Sequence, residues 1–126
     1  MIQVTENPIP TEEIYSRISR EGAGSIVVHI GIVKPMVDDR RTQGIRLIPD
    51  GDLAGELESI EREVREKWEL VDVLLIRRIG ELRVGETVLA AAVSATSREA
   101  AFGACREAVE SLKKKRALRK EELYDG

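Results

Sequence analysis

Residues 52–93 read DLAGELESIEREVREKWELVDVLLIRRIGELRVGETVLAAAV, and the change of pattern inside this stretch decides the fold class. Leu53, Leu57, Ile60, Val64 and Trp68 fall four, three, four and four residues apart, the spacing of one apolar face of a helix starting after Asp52. Beyond Trp68 that period stops. Residues 71–78 and 87–93 are runs of aliphatic residues that read as two strands. Between them Gly80-Glu81-Leu82-Arg83-Val84-Gly85 supplies a turn-rich connection.

Upstream, residues 25–33 (SIVVHIGIV) are β-branched on both faces, as expected of a central strand, and Pro35 ends them. Pro10-Thr11-Glu12-Glu13 predicts a helix with Thr11 as N-cap, an Ile14/Ile18 stripe, and a stop at Gly22-Ala23-Gly24. Asp38-Asp39-Arg40-Arg41 reads as a solvated loop, and residues 44–48 as a short strand closed by Pro49-Asp50-Gly51. Downstream, Thr96 stands at capping-box spacing from Glu99, opening a last helix whose buried stripe is Phe102, Cys105, Val109 and Leu112. The order α-β-β-α-β-β-α predicts one α+β domain over residues 1–126, with helices packed on a mostly antiparallel sheet.

Composition narrows the function. With 42% hydrophobic and 34% charged residues among 126, the chain is globular and needs no cross-links to fold. No apolar run approaches the roughly 20 residues of a membrane span, and residues 1–6 carry no signal-peptide pattern, so a cytoplasmic protein is expected. One cysteine excludes an internal disulfide, and one cysteine with one histidine argues against a metal site. A net charge of −3 and 3% aromatics weigh against nucleic-acid binding. Against that acidic background Lys113-Lys114-Lys115-Arg116 and Arg119-Lys120 put six basic residues into eight positions.

Several residues could carry chemistry. Arg98 lies in the first turn of the last helix, where free N–H groups and the dipole favour an anion; a guanidinium with its head in water is the plainer alternative. Lys113 follows Val109 by four and borders the apolar stripe, so partial desolvation is expected to favour its neutral, nucleophilic form. The plainer reading is a basic helix end stabilised by the dipole. Arg116 would lie near the centre of that stripe, so either the helix ends before it or it has a partner. Lys120 lies beyond the helix end and could reach back to the same pocket. Arg77 and Arg78 point to opposite faces of a strand end, and Lys34 closes the first long strand. His29 and Cys105 read as core residues. No phosphate-binding loop, dinucleotide fingerprint or nucleophile elbow is found, which leaves basic groups acting on an anion without metal or cofactor.

Four segments, taken in order, resemble the large subunit of molybdopterin synthase over nearly the whole chain. They are Gly22-Ala23 leading to Gly31-Ile32-Val33-Lys34, and Trp68 followed by Ile76-Arg77-Arg78-Ile79-Gly80-Glu81-Leu82 with Gly85-Glu86. Then come Ser97-Arg98-Glu99-Ala100-Ala101-Phe102, and Lys113 with Lys120-Glu121. The chain departs from that family's pattern at Ser97 and Arg77, where the family has histidines, at Lys34, where it has arginine, and at Arg119, where it has an aromatic.

The resemblance implies an α/β-hammerhead-like fold and a sulfurtransferase without cofactor. A small ubiquitin-like sulfur-carrier subunit would insert a C-terminal Gly-Gly thiocarboxylate, and two sulfur transfers would convert cyclic pyranopterin monophosphate into the molybdopterin dithiolene. The assembly implied is a homodimer within a heterotetramer. Carried over by position, Lys113 would assist transfer beside the thiocarboxylate and Lys120 would bind or protonate the pterin. Arg98, Lys34, Arg78 and Ser97 would hold the substrate and its phosphate. The competing readings are a non-catalytic relative that keeps the dimer and partner groove, and a nucleic-acid contact along residues 113–120. The lysine pair favours the enzyme.

Overall fold

The computed structural model describes residues 1–114 and 117–124. The helix read from the 53–68 spacing is α2, Leu53–Lys67, capped by the Asp52 side chain, which accepts from the Gly55 N–H at 3.0 Å. Leu53, Leu57, Ile60 and Val64 form its buried face. The two strands that follow are β5, Asp72–Arg78, and β7, Thr87–Ala95, paired antiparallel with Leu75 opposite Ala91. On the far side of β7 lies β2, Ser25–Ile32, also antiparallel; on the far side of β5 lies β1, Ile2–Thr5, parallel to it. The first sheet therefore runs β1-β5-β7-β2.

One face of this sheet is covered by α2 and by α3, Arg98–Lys113, which presents Ala101, Ala104, Cys105 and Ala108. Alanines on both α3 and β7 (Ala91 on this face) hold the helix close to the sheet. The other face is closed by Ile9, Ile14 and Ile18 against Leu74, Ile76, Ala90 and Ala92. A second sheet is built on β4, Arg40–Pro49, which pairs with β3, Met36–Val37, with β6, Gly80–Arg83, and with β8, Leu118–Tyr124. Ile45, Leu47 and Leu82 of this sheet and Leu118 of β8 join the main core.

The α+β class and the antiparallel pairing are as read, and several local expectations are corrected. The 25–33 run forms an edge strand, because among the described residues only β7 pairs with it; its β-branched character leaves Val28, Ile30 and Ile32 exposed. Thr11 makes no side-chain cap. A 3-10 turn, Thr11–Glu13, precedes a short α1, Ile14–Arg17, which ends when Ile18 turns extended, before the glycines. Arg40 and Arg41 belong to β4, and Asp38 and Asp39, with φ of 50° and 63°, make the tight turn of a hairpin. The 80–85 connection contains β6. Ser97, not Thr96, caps α3, accepting from the Ala100 N–H at 3.1 Å, so no capping box forms with Glu99. Phe102 stands on the exposed side of α3, 60% accessible. Arg116 lies outside the described residues.

Candidate active site

Where β2 ends, α3 ends and β8 begins, the two sheets leave a cavity of about 360 Å³. Lys34 reaches it from the segment after β2, Lys113 from the last residue of α3, and Lys120 from β8. The register explains Lys120. It lies opposite Leu47 in β4, and Glu122 lies opposite Ile45, so 118, 120 and 122 share the face turned to the core. The strand is held at its start by Glu56 of α2, whose carboxylate accepts from the Ala117 N–H at 2.7 Å. Three amines from three elements thus line one cavity.

Glu122 is the cavity's acid. Its Oε1 lies 2.8 Å from the Lys120 Nζ, and its side chain is 14% accessible against 34% for the lysine. An ion pair of this kind draws the ammonium toward the carboxylate. Lys113 is exposed, which corrects the expectation of a desolvated amine. His29 also lines the cavity. It is half-buried with its Nε2 unpartnered among the described residues, so it is not the satisfied core histidine expected. Cys105 is buried as expected; burial pushes its thiol up to about 11, against a backbone bond with His29, leaving it neutral and unreactive at pH 7.

The remaining expected residues are elsewhere in this chain. Arg98 and Ser97 stand exposed at the start of α3, and its 16 residues put Arg98 roughly 22 Å from Lys113 at 1.5 Å per residue. Arg78 is buried on the opposite face of β5, where its Nη1 meets Glu86 at 3.0 Å. Glu86 also accepts from the Arg83 N–H, so this pair clamps the β6–β7 turn. The face of β5 that does reach the cavity carries Arg77, 2% accessible. Strand parity separates the two arginines, but both faces of β5 are buried, and nothing local in the sequence says which one meets the cavity.

Comparison with known proteins identifies the family. The profile of the family described as MoaE protein matches residues 4–115. The chain belongs to the MoaE family.

Among MoaE relatives, the molybdopterin synthase catalytic subunit of Bacillus subtilis (strain 168) is 32% identical over 98% of this chain and 79% of its own length. That of Pyrococcus abyssi is 34% identical over 90% and 78%. The crystal structure of molybdopterin synthase from Staphylococcus aureus superposes with a TM-score of 0.88 and 27% identity, covering 97% of this chain and 90% of that one. A complex of subunits 1 and 2 of the molybdopterin-converting factor from Helicobacter pylori shares the fold, with a TM-score of 0.73 at 16% identity over 98% and 88%. The function of this MoaE chain is that of a molybdopterin synthase catalytic subunit, an enzyme of molybdenum-cofactor biosynthesis. No helix among its described residues is long and apolar enough to cross a membrane.

Proposed function

We propose that sulfur passes, inside the lysine-lined cavity, from the C-terminal Gly-Gly thiocarboxylate of a small ubiquitin-like partner to cyclic pyranopterin monophosphate. The observation that carries this reading is the meeting of Lys34, Lys113 and Lys120 around one cavity. An anionic tail and an anionic substrate both gain from positive charge gathered in one concave site. Lys113, exposed at the rim, is free to approach the thiocarboxylate and assist each transfer. Lys120, paired with Glu122, binds the pterin or gives it a proton. The neutral Cys105 takes no part, in keeping with a sulfur donor brought by a partner. Both reactants are small or diffusible, which suits a cytoplasmic enzyme.

Arg98 joins this site only from a second copy. β2 is an edge strand whose Val28, Ile30 and Ile32 are exposed, and Phe102, one turn after Arg98, is exposed as well. The β2 start lies near the α3 start, through the Gly24 N–H to Ala95 carbonyl bond, and both elements run toward the cavity. A two-fold axis at the β2 edge reverses the partner's α3, bringing its positions 97 and 98 toward this copy's lysines. Ser97 caps the helix but keeps its hydroxyl proton to donate. This geometry favours a homodimer with two composite sites, each open to one small subunit, which is the heterotetramer the resemblance implies. Arg78 stays with Glu86.

The test is reconstitution. The chain is mixed with a thiocarboxylated small subunit and the pterin precursor, and dithiolene product is measured. Product dependent on Lys113 supports the reading; an unchanged rate in Lys113→Ala removes it.

A further inference from the structure

Arg77 is a buried cation, 2% accessible, with open donor atoms. On β5 it lies opposite Leu89 of β7, the last register pair of those two strands, and Leu89 in turn lies opposite Gly31 of β2, so the residue stands near the strand end that borders the cavity. Its Nε and Nη1 are buried and find no hydrogen-bond acceptor among the described residues. Yet the residue lines the same cavity as Lys34, Lys113 and Lys120.

Such an arrangement is costly for the free protein. Holding an ion out of water without hydrogen-bonding its donors disfavours the fold. Burial lowers the Arg77 pKa to about 10, with the charge of Glu56 opposing, so the group is still charged at neutral pH. The cavity's own acid, Glu122, is occupied by Lys120. An arginine kept for packing would be expected to carry its acceptors with it. An arginine kept for a ligand leaves donors open. Gly31 adds to this: it contributes no side chain to the Gly31–Leu89–Arg77 row, and a Cβ there would stand 3.2 Å from Leu89 Cγ.

We propose that Arg77 seats an oxyanion at the deep end of the cavity, its open guanidinium donors receiving carboxylate-type or phosphate oxygens. The lysines at the rim draw the anion in, and Arg77 fixes where it stops. The inference rests on the transfer reading only for the anion's source, which is the carboxyl end of an inserted peptide tail or the substrate's phosphate.

The experiment is calorimetric titration of the full chain with three probes: inorganic phosphate, a peptide ending in Gly-Gly with a free carboxylate, and the same peptide amidated. Arg77→Met is expected to weaken the probe that binds by about tenfold to a hundredfold, the range for a charged hydrogen bond. Loss confined to the free-acid peptide names the tail; loss confined to phosphate names the substrate. Arg77→Met should also melt at or above the wild-type temperature, because an uncompensated charge has gone; a structural arginine would lower it. Should that variant not fold, Arg77→His replaces it. Its peptide binding should fade as pH rises through about 6.5, while the wild type stays level from pH 5.5 to 8. Binding equal to wild type in Arg77→Met, or a pH-independent Arg77→His, overturns the inference. A wild-type chain that binds the anion through Arg77 but forms no dithiolene keeps it and removes the transfer reading instead.

Discussion

At the scale of single residues, the site is a matter of which charges are paired. Lys120 has Glu122, Arg78 has Glu86, and Arg46 lies between Glu81 at 3.3 Å and Glu121 at 3.2 Å. Lys113 has no such pair among the described residues, and Arg77 keeps two open donor atoms. Lys34 and Lys120, unremarkable by position alone, entered through the family resemblance, whereas Lys113 was legible because it borders an apolar stripe. Arg77 was not, since strand parity gives two faces and only the tertiary packing says which one meets the cavity. Another paired charge governs acid stability. Burial would raise the Asp72 pKa, but bonds from the Ser19 N–H at 2.8 Å, the Val73 N–H and Arg65 outweigh it and hold the carboxyl below its ordinary range. A depressed pKa stabilises the fold above about pH 4, the unfolded value, and loses that contribution as pH falls through the folded one. Asp72→Asn should therefore be less stable than wild type in urea melts at pH 7, and the gap should close toward pH 3. A gap that stays constant with pH would assign the effect to packing.

At the scale of elements, α2 and α3 decide where the lysines stand. Their contact runs through Trp68, which follows α2 and donates from Nε1 to Glu107 at 2.7 Å, and through Gly103, the small residue facing it. A Cβ at 103 would lie 2.4 Å from the indole Cη2, so Gly103→Ala must push the ring or the helix aside. The expected loss is about 1–3 kcal/mol by chemical denaturation, the usual range for overpacking. A stability equal to wild type would mean the helices slide freely. Helix α2 was legible from its amphipathic period, except that Trp68, read as the end of its stripe, is extended and follows the helix. Strand β8 was not. Its outward residues are charged, its inward face carries Lys120 and Glu122, and without knowledge of β4 as a neighbour LRKEELY looks like a polar tail. The error over β2 has the converse cause: β-branched residues on both faces mark burial by something, and the neighbour absent from one chain is, in our proposal, a second copy.

For the whole molecule, the proposed site joins a cavity that one chain builds to Arg98 at the far end of α3, supplied by a second copy. Ile30 is 41% accessible on the β2 edge, in the middle of the proposed two-fold contact. Ile30→Glu should shift the chain from dimer to monomer in sedimentation velocity with little change in its melting temperature. A dimer that survives this change would place the contact elsewhere, and Arg98 outside the site. The central claim is that Lys113 and Lys120 act as one unit on one bound substrate. It is tested most directly by single-turnover dithiolene formation with Lys113→Ala, Lys120→Ala and the double variant. Each single change should slow the reaction by roughly 10²-fold or more, and the double variant should be scarcely worse than the slower single one, as for residues of one catalytic unit. Losses that multiply independently, or a double variant that turns over like wild type, would contradict it.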